Sequence, residues 1–251
     1  MTKQKHFFLI RGLIREAHHW AEFPSLLREA SPGCKITMID IPGAGEYFNS
    51  PSPISIRRMV EEMRQVYLKK VSSNEEKILV AISLGGMISG QWLKLHESDF
   101  DKVVMINTSY GGISPLFDRV KPSALLYLLK VPVLKGRDKE ARILRLVTNH
   151  NQVFDETLNL WERIQQERPV SLVNTIKQLS AAALFRIGNF QPKIPILILA
   201  AVQDRMVSVE CSRAIARAWN ASISEHPTGG HDLTADDPKW VVKELVKFSA
   251  E

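Results

Sequence analysis

The feature that most constrains the fold of this 251-residue chain is a series of short apolar runs without alternating polar residues. Runs such as 78–82 and 196–201 are apolar at consecutive positions, which is typical of strands covered by helices on both faces. Longer amphipathic stretches separate these runs, and such alternation predicts a parallel, doubly wound sheet. We predict strands at 7–10, 35–41, 77–82, 102–107, 194–201 and 222–225, and helices at 18–30, 55–71, 83–96, 209–219 and 237–248.

The alternation stops between residues 112 and 190, where only helical patterns occur. The sequence therefore predicts a core domain formed by 1–111 and 191–251, with 112–190 inserted as a helical cap. A chain of this length is compatible with one compact core that carries an inserted piece. The predicted cap helices lie near 121–131, 138–147, 152–167 and 169–186.

Composition excludes several classes of protein. The chain is 45% hydrophobic and 24% charged, which is ordinary for a globular protein. No apolar run reaches the roughly 18–20 residues of a membrane span, and the run at 7–10 is too short for a signal peptide. Two cysteines, Cys34 and Cys211, do not suggest a disulfide framework or a zinc site. We therefore expect a cytoplasmic protein. The sequence has no cluster of histidines and carboxylates that suggests a metal, and the glycines at 43–45 lack the third glycine of a dinucleotide fingerprint, so we expect no cofactor.

The formal net charge of +6 comes from one segment, 119–145, which contains eight Lys or Arg and two Asp or Glu residues. A local basic patch suits an acidic small molecule, an acidic carrier protein or an anionic surface as well as nucleic acid. The sequence has neither zinc-finger spacing nor an aromatic RNA-binding strand, so we expect no nucleic-acid partner.

Ligand sites in parallel sheets form at the carboxyl ends of the strands, which directs attention to the motif AISLGGM at 81–87. Here a strand passes into a helix through a very short turn. Ala81 and Gly85, two residues before and after Ser83, are small enough for such a turn. Ser83 would then stand above the sheet at the positive end of the helix, as a nucleophile does. The alternative is that Ser83 only caps the helix.

A nucleophilic serine needs a base and an acid that orients the base. Asp204 follows the predicted strand 194–201, and His231 follows the predicted strand 222–225. Taken singly, Asp204 suits a turn or helix cap, and His231 is one of seven histidines. Ser83, Asp204 and His231 nevertheless all follow strand ends in one order, which favours a catalytic triad.

At these motifs the chain resembles the α/β-hydrolase superfamily. The segment RGL at 11–13 is similar to the family's oxyanion loop, and DIPGAG at 40–45 is similar to a second common segment. The resemblance implies an α/β-hydrolase fold with a helical cap. Because the family's first hairpin has no counterpart, we expect a six-stranded, all-parallel sheet. Two departures stand out: Ala81 replaces a usual glycine, and Arg11 replaces a usual histidine.

The resemblance implies a serine hydrolase that cleaves a small-molecule carboxylic ester or thioester through an acyl-enzyme. The catalytic residues would be Ser83, Asp204 and His231, with no metal. The backbone N–H groups of Leu13 and Leu84 would form the oxyanion hole. An acidic substrate group could be bound by the basic cap. Residues placed at or after strand ends are candidates for the substrate pocket: Arg11, Tyr110 and, unless it lies at the surface, Arg15.

Two alternatives remain open at this stage. The same triad in a related fold can serve a C–C hydrolase or lyase acting on an acidic metabolite, or the chain can be a non-catalytic ligand-binding member. The apolar segment 120–130, flanked by lysines, also has three interpretations: contact with an anionic surface or acyl carrier, lining of an acyl pocket, or packing on the core.

Overall fold

The computed structural model describes residues 3–129, 134–150 and 154–250 and contains one six-stranded parallel sheet. Numbered β1 to β6 along the chain, the strands lie in the order β2-β1-β3-β4-β5-β6. Every neighbouring pair is parallel, so the sheet is all-parallel as predicted. Phe8 and Ile10 of β1 face one side of the sheet, whereas Phe7 and Leu9 face the other. The strands are β1 (Gln4–Ile10), β2 (Lys35–Met38), β3 (Glu75–Ile82), β4 (Lys102–Ile106), β5 (Ile196–Ala201) and β6 (Ser222–His226).

Helices cover both faces of this sheet, which explains why its strands are apolar throughout. Helices α2, α3 and α9 pack on one face, and α1 and α11 pack on the other. The bounds outside the inserted segment are α1 (Phe23–Ala30), α2 (Ile56–Leu68), α3 (Leu84–His96), α9 (Val209–Trp219), α10 (Leu233–Asp236) and α11 (Pro238–Ala250).

The segment between β4 and β5 is helical in its described part and adds no strand to the six-stranded sheet there. Four of its helices correspond to the predicted ones. The end of the first predicted cap helix, 130–131, and the start of the third, 152–153, lie outside the described ranges. The four-residue α4 was not predicted. The bounds are α4 (Leu116–Arg119), α5 (Pro122–Leu128), α6 (Gly136–Val147), α7 (Phe154–Glu167) and α8 (Leu172–Leu184).

Two predicted elements differ in the structure. The helix expected over 18–30 is a 3₁₀ turn at Ala17–Trp20 followed by α1, because Ala21 has φ +46° and interrupts the helix. The strand expected over 35–41 ends at Met38. Asp40 accepts hydrogen bonds from the backbone N–H groups of Ala17 at 2.7 Å and Glu46 at 2.9 Å. The Asp40 side chain therefore ties the segment after β2 to the 3₁₀ turn at Ala17–Trp20 and to Glu46.

Candidate active site

Ser83 occupies the sharp turn between β3 and α3. Its backbone has φ +55° and ψ −116°, a conformation that side-chain-bearing residues rarely adopt. Its N–H donates to the Ile106 carbonyl at 2.9 Å, and the Thr108 hydroxyl donates to its carbonyl at 2.8 Å. Its side chain makes no capping hydrogen bond to α3. The interpretation of Ser83 as a simple helix cap therefore lacks its defining contact.

The structure brings together the three residues predicted as a triad. The Nε2 atom of His231 lies 2.9 Å from Ser83 Oγ, and Nδ1 lies 2.7 Å from Asp204 Oδ2. The other carboxylate oxygen, Asp204 Oδ1, accepts from the N–H groups of Met206 at 2.7 Å and Val207 at 3.0 Å. Asp204 is therefore held on both oxygens and orients the imidazole toward Ser83.

The environment of His231 tunes its basicity. Burial alone would lower the pKa of the imidazole, but the Asp204 carboxylate and its hydrogen bond outweigh burial and raise the pKa above its ordinary value. Both His231 and Asp204 are buried. A buried carboxylate beside the imidazole favours the cation that forms when His231 takes a proton.

Asn107, at the carboxyl end of β4, fixes the loop that carries His231. Its side-chain amide donates to the carbonyls of His231 at 2.8 Å and Gly230 at 3.2 Å. Its side-chain oxygen accepts from the Ala201 N–H at 2.8 Å. Asn107 thus ties the histidine loop to β5, the strand that precedes Asp204.

The loop after β1 passes directly over Ser83. A Cβ atom built on Gly12 would lie 3.1 Å from Ser83 Cβ, so glycine permits this close approach. Leu13 follows Gly12 in the loop and lines the adjoining cavity. Leu84 is the first residue of α3, where N–H groups have no partner within the helix. These two residues flank Ser83 from separate elements.

Arg11 starts this loop and contacts the histidine loop. Its guanidinium forms a buried ion pair with Asp232, donates to Thr234 Oγ1 at 2.8 Å and lies over the Trp20 ring at 5.0 Å. Burial would raise the pKa of Asp232, but Arg11 outweighs burial and holds it below its usual range. Arg11 lines the cavity at Ser83, where the Asp232 carboxylate balances its charge.

A cavity of about 360 Å³ opens at Ser83 and His231, within the size range of small-molecule sites. Its walls are formed by the loop after β1, by Met206 and by the inserted helices. Apart from Ser83 and His231, its polar wall residues are few: Arg11, Arg15, Lys139, Thr175 and Asp232. Most apolar wall residues come from the inserted segment: Leu128, Leu134, Ile143, Leu146, Val147, Trp161, Val170, Leu172 and Leu179.

Arg15 is buried at the cavity and does not lie at the surface. Its Nη1 atom donates to Glu140 at 2.9 Å, and its guanidinium lies 4.0 Å from the centre of the Trp161 ring. The neighbouring His19 has a pKa well below its ordinary value because it is buried and close to Arg15. The positive charge of Arg15 is thus balanced by the carboxylate of Glu140.

Tyr110 is not part of the cavity wall, which corrects its prediction as a pocket residue. It is fully buried beneath α3, where its hydroxyl donates to the Gly86 carbonyl at 2.6 Å. Its ring packs against Phe185 and Trp219. Tyr110 therefore packs in the core against α3, the helix that follows Ser83.

Most of the described cations in the basic segment 119–145 are engaged within the fold. Lys121 Nζ donates to the Asp204 carbonyl at 2.5 Å, and Arg119 donates to the Ala182 carbonyl at 2.6 Å. Of the described cations in this segment, Lys139 alone lines the cavity, and Lys130 lies outside the described residues. The remaining arginines pair with groups of the inserted helices: Arg137 with Asn159 and Glu162, Arg142 with Tyr127, and Arg145 with Phe154.

The described part of the apolar segment, 120–129, divides between the cavity and the surface. Leu128 lines the cavity and Ala124 is buried, whereas Leu125, Leu126 and Leu129 are exposed. The segment therefore does not simply pack on the core.

The described residues contain no cluster of three or more His, Cys, Asp or Glu side chains suited to a metal ion. No helix among them is long and apolar enough to cross a membrane.

The sheet order and the site geometry define an α/β-hydrolase architecture, and comparison of the sequence with known families agrees. The profile of the alpha/beta hydrolase fold family matches residues 5–238, so the chain belongs to this family. Among curated proteins, the chain is similar to salicylic acid-binding protein 2 from Nicotiana tabacum, with 31% identity over 99 residues. That alignment covers 36% of this chain and only 34% of the relative, about a third of its length.

Solved structures share the whole architecture at low sequence identity. A bromoperoxidase from Bacillus anthracis has a TM-score of 0.80 and 18% identity, covering 99% of this chain and 92% of its own. An esterase from Rhodococcus sp. has a TM-score of 0.76 and 16% identity, covering 99% and 91%. At this identity the likeness establishes the fold alone.

Two contributors to the site were missed by sequence reasoning. Asn107 was placed only as a strand end, although a polar residue at the carboxyl end of β4 is a recognisable signal. Asp232 follows His231 in the sequence, but its pairing with Arg11 spans 221 positions and has no local signal.

Proposed function

We propose that this protein is a serine hydrolase that cleaves a carboxylic ester or thioester through an acyl-enzyme. The observation that carries the proposal is the unbroken chain of hydrogen bonds from Ser83 Oγ through His231 to Asp204. Ser83, at the end of this series of hydrogen bonds, is held in a strained turn and faces a mostly apolar cavity. The esterase among its structural neighbours is consistent with that chemistry.

In the proposed reaction, His231 Nε2 accepts the Ser83 proton while Ser83 Oγ attacks the substrate carbonyl carbon. Asp204 keeps the other ring nitrogen protonated and stabilises the imidazolium. His231 then donates the proton to the departing alcohol or thiol. Water attacks the acyl-enzyme with His231 as base, which releases the acid and restores Ser83.

The negative oxygen of each tetrahedral intermediate would be bound by the backbone N–H groups of Leu13 and Leu84. Gly12 brings the loop after β1 against Ser83, and α3 adds the positive end of its dipole. In other hydrolases the loss of one such donor costs about 3–4 kcal/mol of transition-state stabilisation. Both donors are main-chain groups, so the replacement of histidine by Arg11 leaves them in place.

We assign the core to 1–111 and 191–251 and the cap to 112–190. The cap supplies most apolar wall residues of the cavity, so it would bind the hydrocarbon part of the substrate. Binding of an acidic carrier or an anionic surface to the basic segment stays a prediction. Most of the described cations of that segment already have partners within the fold, which leaves few of them to bind such a partner.

Labelling with a fluorophosphonate probe tests the proposed nucleophile directly. We expect the wild type to be labelled and to hydrolyse nitrophenyl esters, and we expect Ser83→Ala to lose both properties. Ser180→Ala, a serine on the cap helix α8, is the matched control and should keep both. Circular dichroism and thermal unfolding would verify that each variant is folded.

A folded wild type that resists labelling and hydrolyses no ester in a chain-length panel would contradict the proposal. Turnover of an acidic C–C substrate under those conditions would instead support the C–C hydrolase or lyase alternative. Ligand binding of equal affinity in the wild type and Ser83→Ala, without turnover, would support a binding protein.

A further inference from the structure

We infer that the substrate carries one anionic group at the far end of its hydrocarbon part, and that Lys139 binds this group. The inference rests on the proposed function, and it names the class of substrate: a monoester or monothioester of a dicarboxylic acid, or an acid of the same shape. It follows from the charges of the cavity wall and from the position of Lys139 on α6.

The cavity wall contains three cations, and one of them, Lys139, has no anionic partner among the described residues. Arg11 is ion-paired with Asp232, and Arg15 is ion-paired with Glu140. The side chain of Lys139 makes no hydrogen bond or ion pair with any residue in 3–129, 134–150 or 154–250. Outside those ranges the sequence contains one acidic residue, the C-terminal Glu251.

A cation that has no partner among the described residues, in a cavity with few polar wall residues, favours one kind of occupant. A neutral hydrocarbon would take water from the ammonium group without replacing its hydrogen bonds, which is unfavourable. A carboxylate would replace those hydrogen bonds and cancel the charge in surroundings of low dielectric constant. Lys139 is only partly exposed, so solvent screens this attraction less than at the open surface.

Helix α6 fixes how far Lys139 lies from the reaction centre. Lys139, Ile143, Leu146 and Val147 all line the cavity, and their spacing places them on one face of the helix. The carbonyl of Val147 accepts a hydrogen bond at 2.8 Å from the N–H of Asp232, next to His231. Val147 therefore marks the catalytic end of this face.

Lys139 precedes Val147 by eight residues, which corresponds to about 12 Å along the helix axis. The apolar side chains of Ile143 and Leu146 lie between them. The flexible lysine side chain reaches part of the way back, so an extended spacer of about five to ten chain atoms would join the two ends. Shorter dicarboxylates would leave Lys139 without contact.

The experiment compares pairs of esters of equal length, one ending in a carboxylate and one in a methyl group. For each pair the measured quantity is the ratio of kcat/KM for the anionic ester to that for the neutral ester. We expect this ratio to rise with spacer length in the wild type, and Lys139→Gln to lower it about tenfold or more, through KM. Lys139→Glu should lower the ratio further.

Lys135→Gln is the matched control, because Lys135 is an exposed lysine at the start of α6 that does not line the cavity. It should leave the ratio as in the wild type. A ratio that is the same in the wild type and Lys139→Gln at every spacer length would overturn the inference while leaving ester hydrolysis intact.

A binding measurement separates failure of this inference from failure of the proposed function. Trp161 lines the cavity, so its fluorescence reports ligand binding without turnover. In Ser83→Ala, titration with suberic acid monomethyl ester, whose spacer is six methylene groups, should change the emission, and Lys139→Gln in that background should weaken this binding about tenfold. Equal binding with and without Lys139 would refute the inference even if the wild type hydrolysed no ester.

Discussion

Arg11, in the loop after β1, is ion-paired with Asp232, the residue that follows His231. Thr234 extends this pair, because its hydroxyl accepts from Arg11 and donates to Asp232 Oδ1 at 2.7 Å. The pair joins the loop proposed to supply an oxyanion donor to the loop that carries the proposed base. It therefore couples the positions of two groups that must act on the same carbonyl.

We expect removal of either partner to destabilise the protein and to lower kcat. Arg11→Met leaves Asp232 as a buried carboxylate without its cation. Asp232→Asn leaves Arg11 as a buried cation without its anion. Breaking a buried pair in this way costs about 3–5 kcal/mol of unfolding free energy. Urea unfolding of both single variants and of the double variant would measure the coupling. The double variant should lose clearly less unfolding free energy than the two single variants lose together.

The exposed ion pair of Arg213 with Glu225 provides the control. Arg213→Met should cause a much smaller loss of stability, because solvent screens that pair. Strictly additive losses for Arg11→Met and Asp232→Asn would contradict a coupled pair.

The pH dependence of activity should report the raised pKa of His231. The base acts in its neutral form, so kcat/KM should increase with pH and reach half its plateau above pH 6.5, the ordinary pKa of histidine. Asp204→Asn removes the carboxylate that raises this pKa, so the midpoint should move to lower pH. The plateau should also fall about 10³–10⁴-fold, because the imidazole loses its orientation.

Measurement of kcat/KM from pH 5 to 9 with a neutral ester would test both effects. A midpoint that stays unchanged in Asp204→Asn would show that Asp204 does not control the titration of His231.

The elements that the sequence predicted well are those with local signals. Non-alternating apolar runs predict buried parallel strands, and small residues around Ser83 predict the sharp turn. Asp204 and His231 could be placed because parallel strands end at one edge of the sheet. The fold and the approach of these three residues therefore follow from short segments of sequence.

The elements that were missed depend on packing between distant segments. The position of Tyr110 after β4 suggested a pocket residue, but the chain's path buries its ring against Phe185 and Trp219. The pairing of Arg11 with Asp232 likewise depends on how two loops meet. No local pattern distinguishes a buried, paired arginine from one that faces a substrate.

Tyr110→Phe should lower stability without changing substrate preference. The variant loses the hydrogen bond to the Gly86 carbonyl and leaves that buried acceptor without this donor, which costs about 1–3 kcal/mol. Because Tyr110 does not line the cavity, KM across an ester chain-length panel should keep the wild-type profile. Leu128→Ala, which enlarges the cavity, should shift that profile toward longer chains. A shifted profile in Tyr110→Phe would restore Tyr110 as a pocket residue.

Glu75 stabilises the opposite end of the sheet, near the amino ends of β1 and β3. It accepts hydrogen bonds from His6 at 2.7 Å and from the Ser72 N–H at 3.1 Å, and it is ion-paired with Lys35. Burial would raise the pKa of Glu75, but the bonds from Lys35 and His6 outweigh burial and lower the pKa to about 2. A carboxyl whose pKa is lower in the folded state stabilises the fold above its ordinary pKa.

This stabilisation should be complete above about pH 4.5 and should disappear as the pH falls toward 2. We therefore expect Glu75→Gln to be less stable than the wild type at pH 7, with the difference shrinking between pH 4.5 and pH 2. Urea unfolding at a series of pH values would measure this difference. Because Glu75 lies far from the carboxyl ends of the strands, kcat/KM at pH 7 and 25 °C should remain at the wild-type value. A stability difference that stays constant over this pH range would mean that Glu75 contributes by packing and not by its charge.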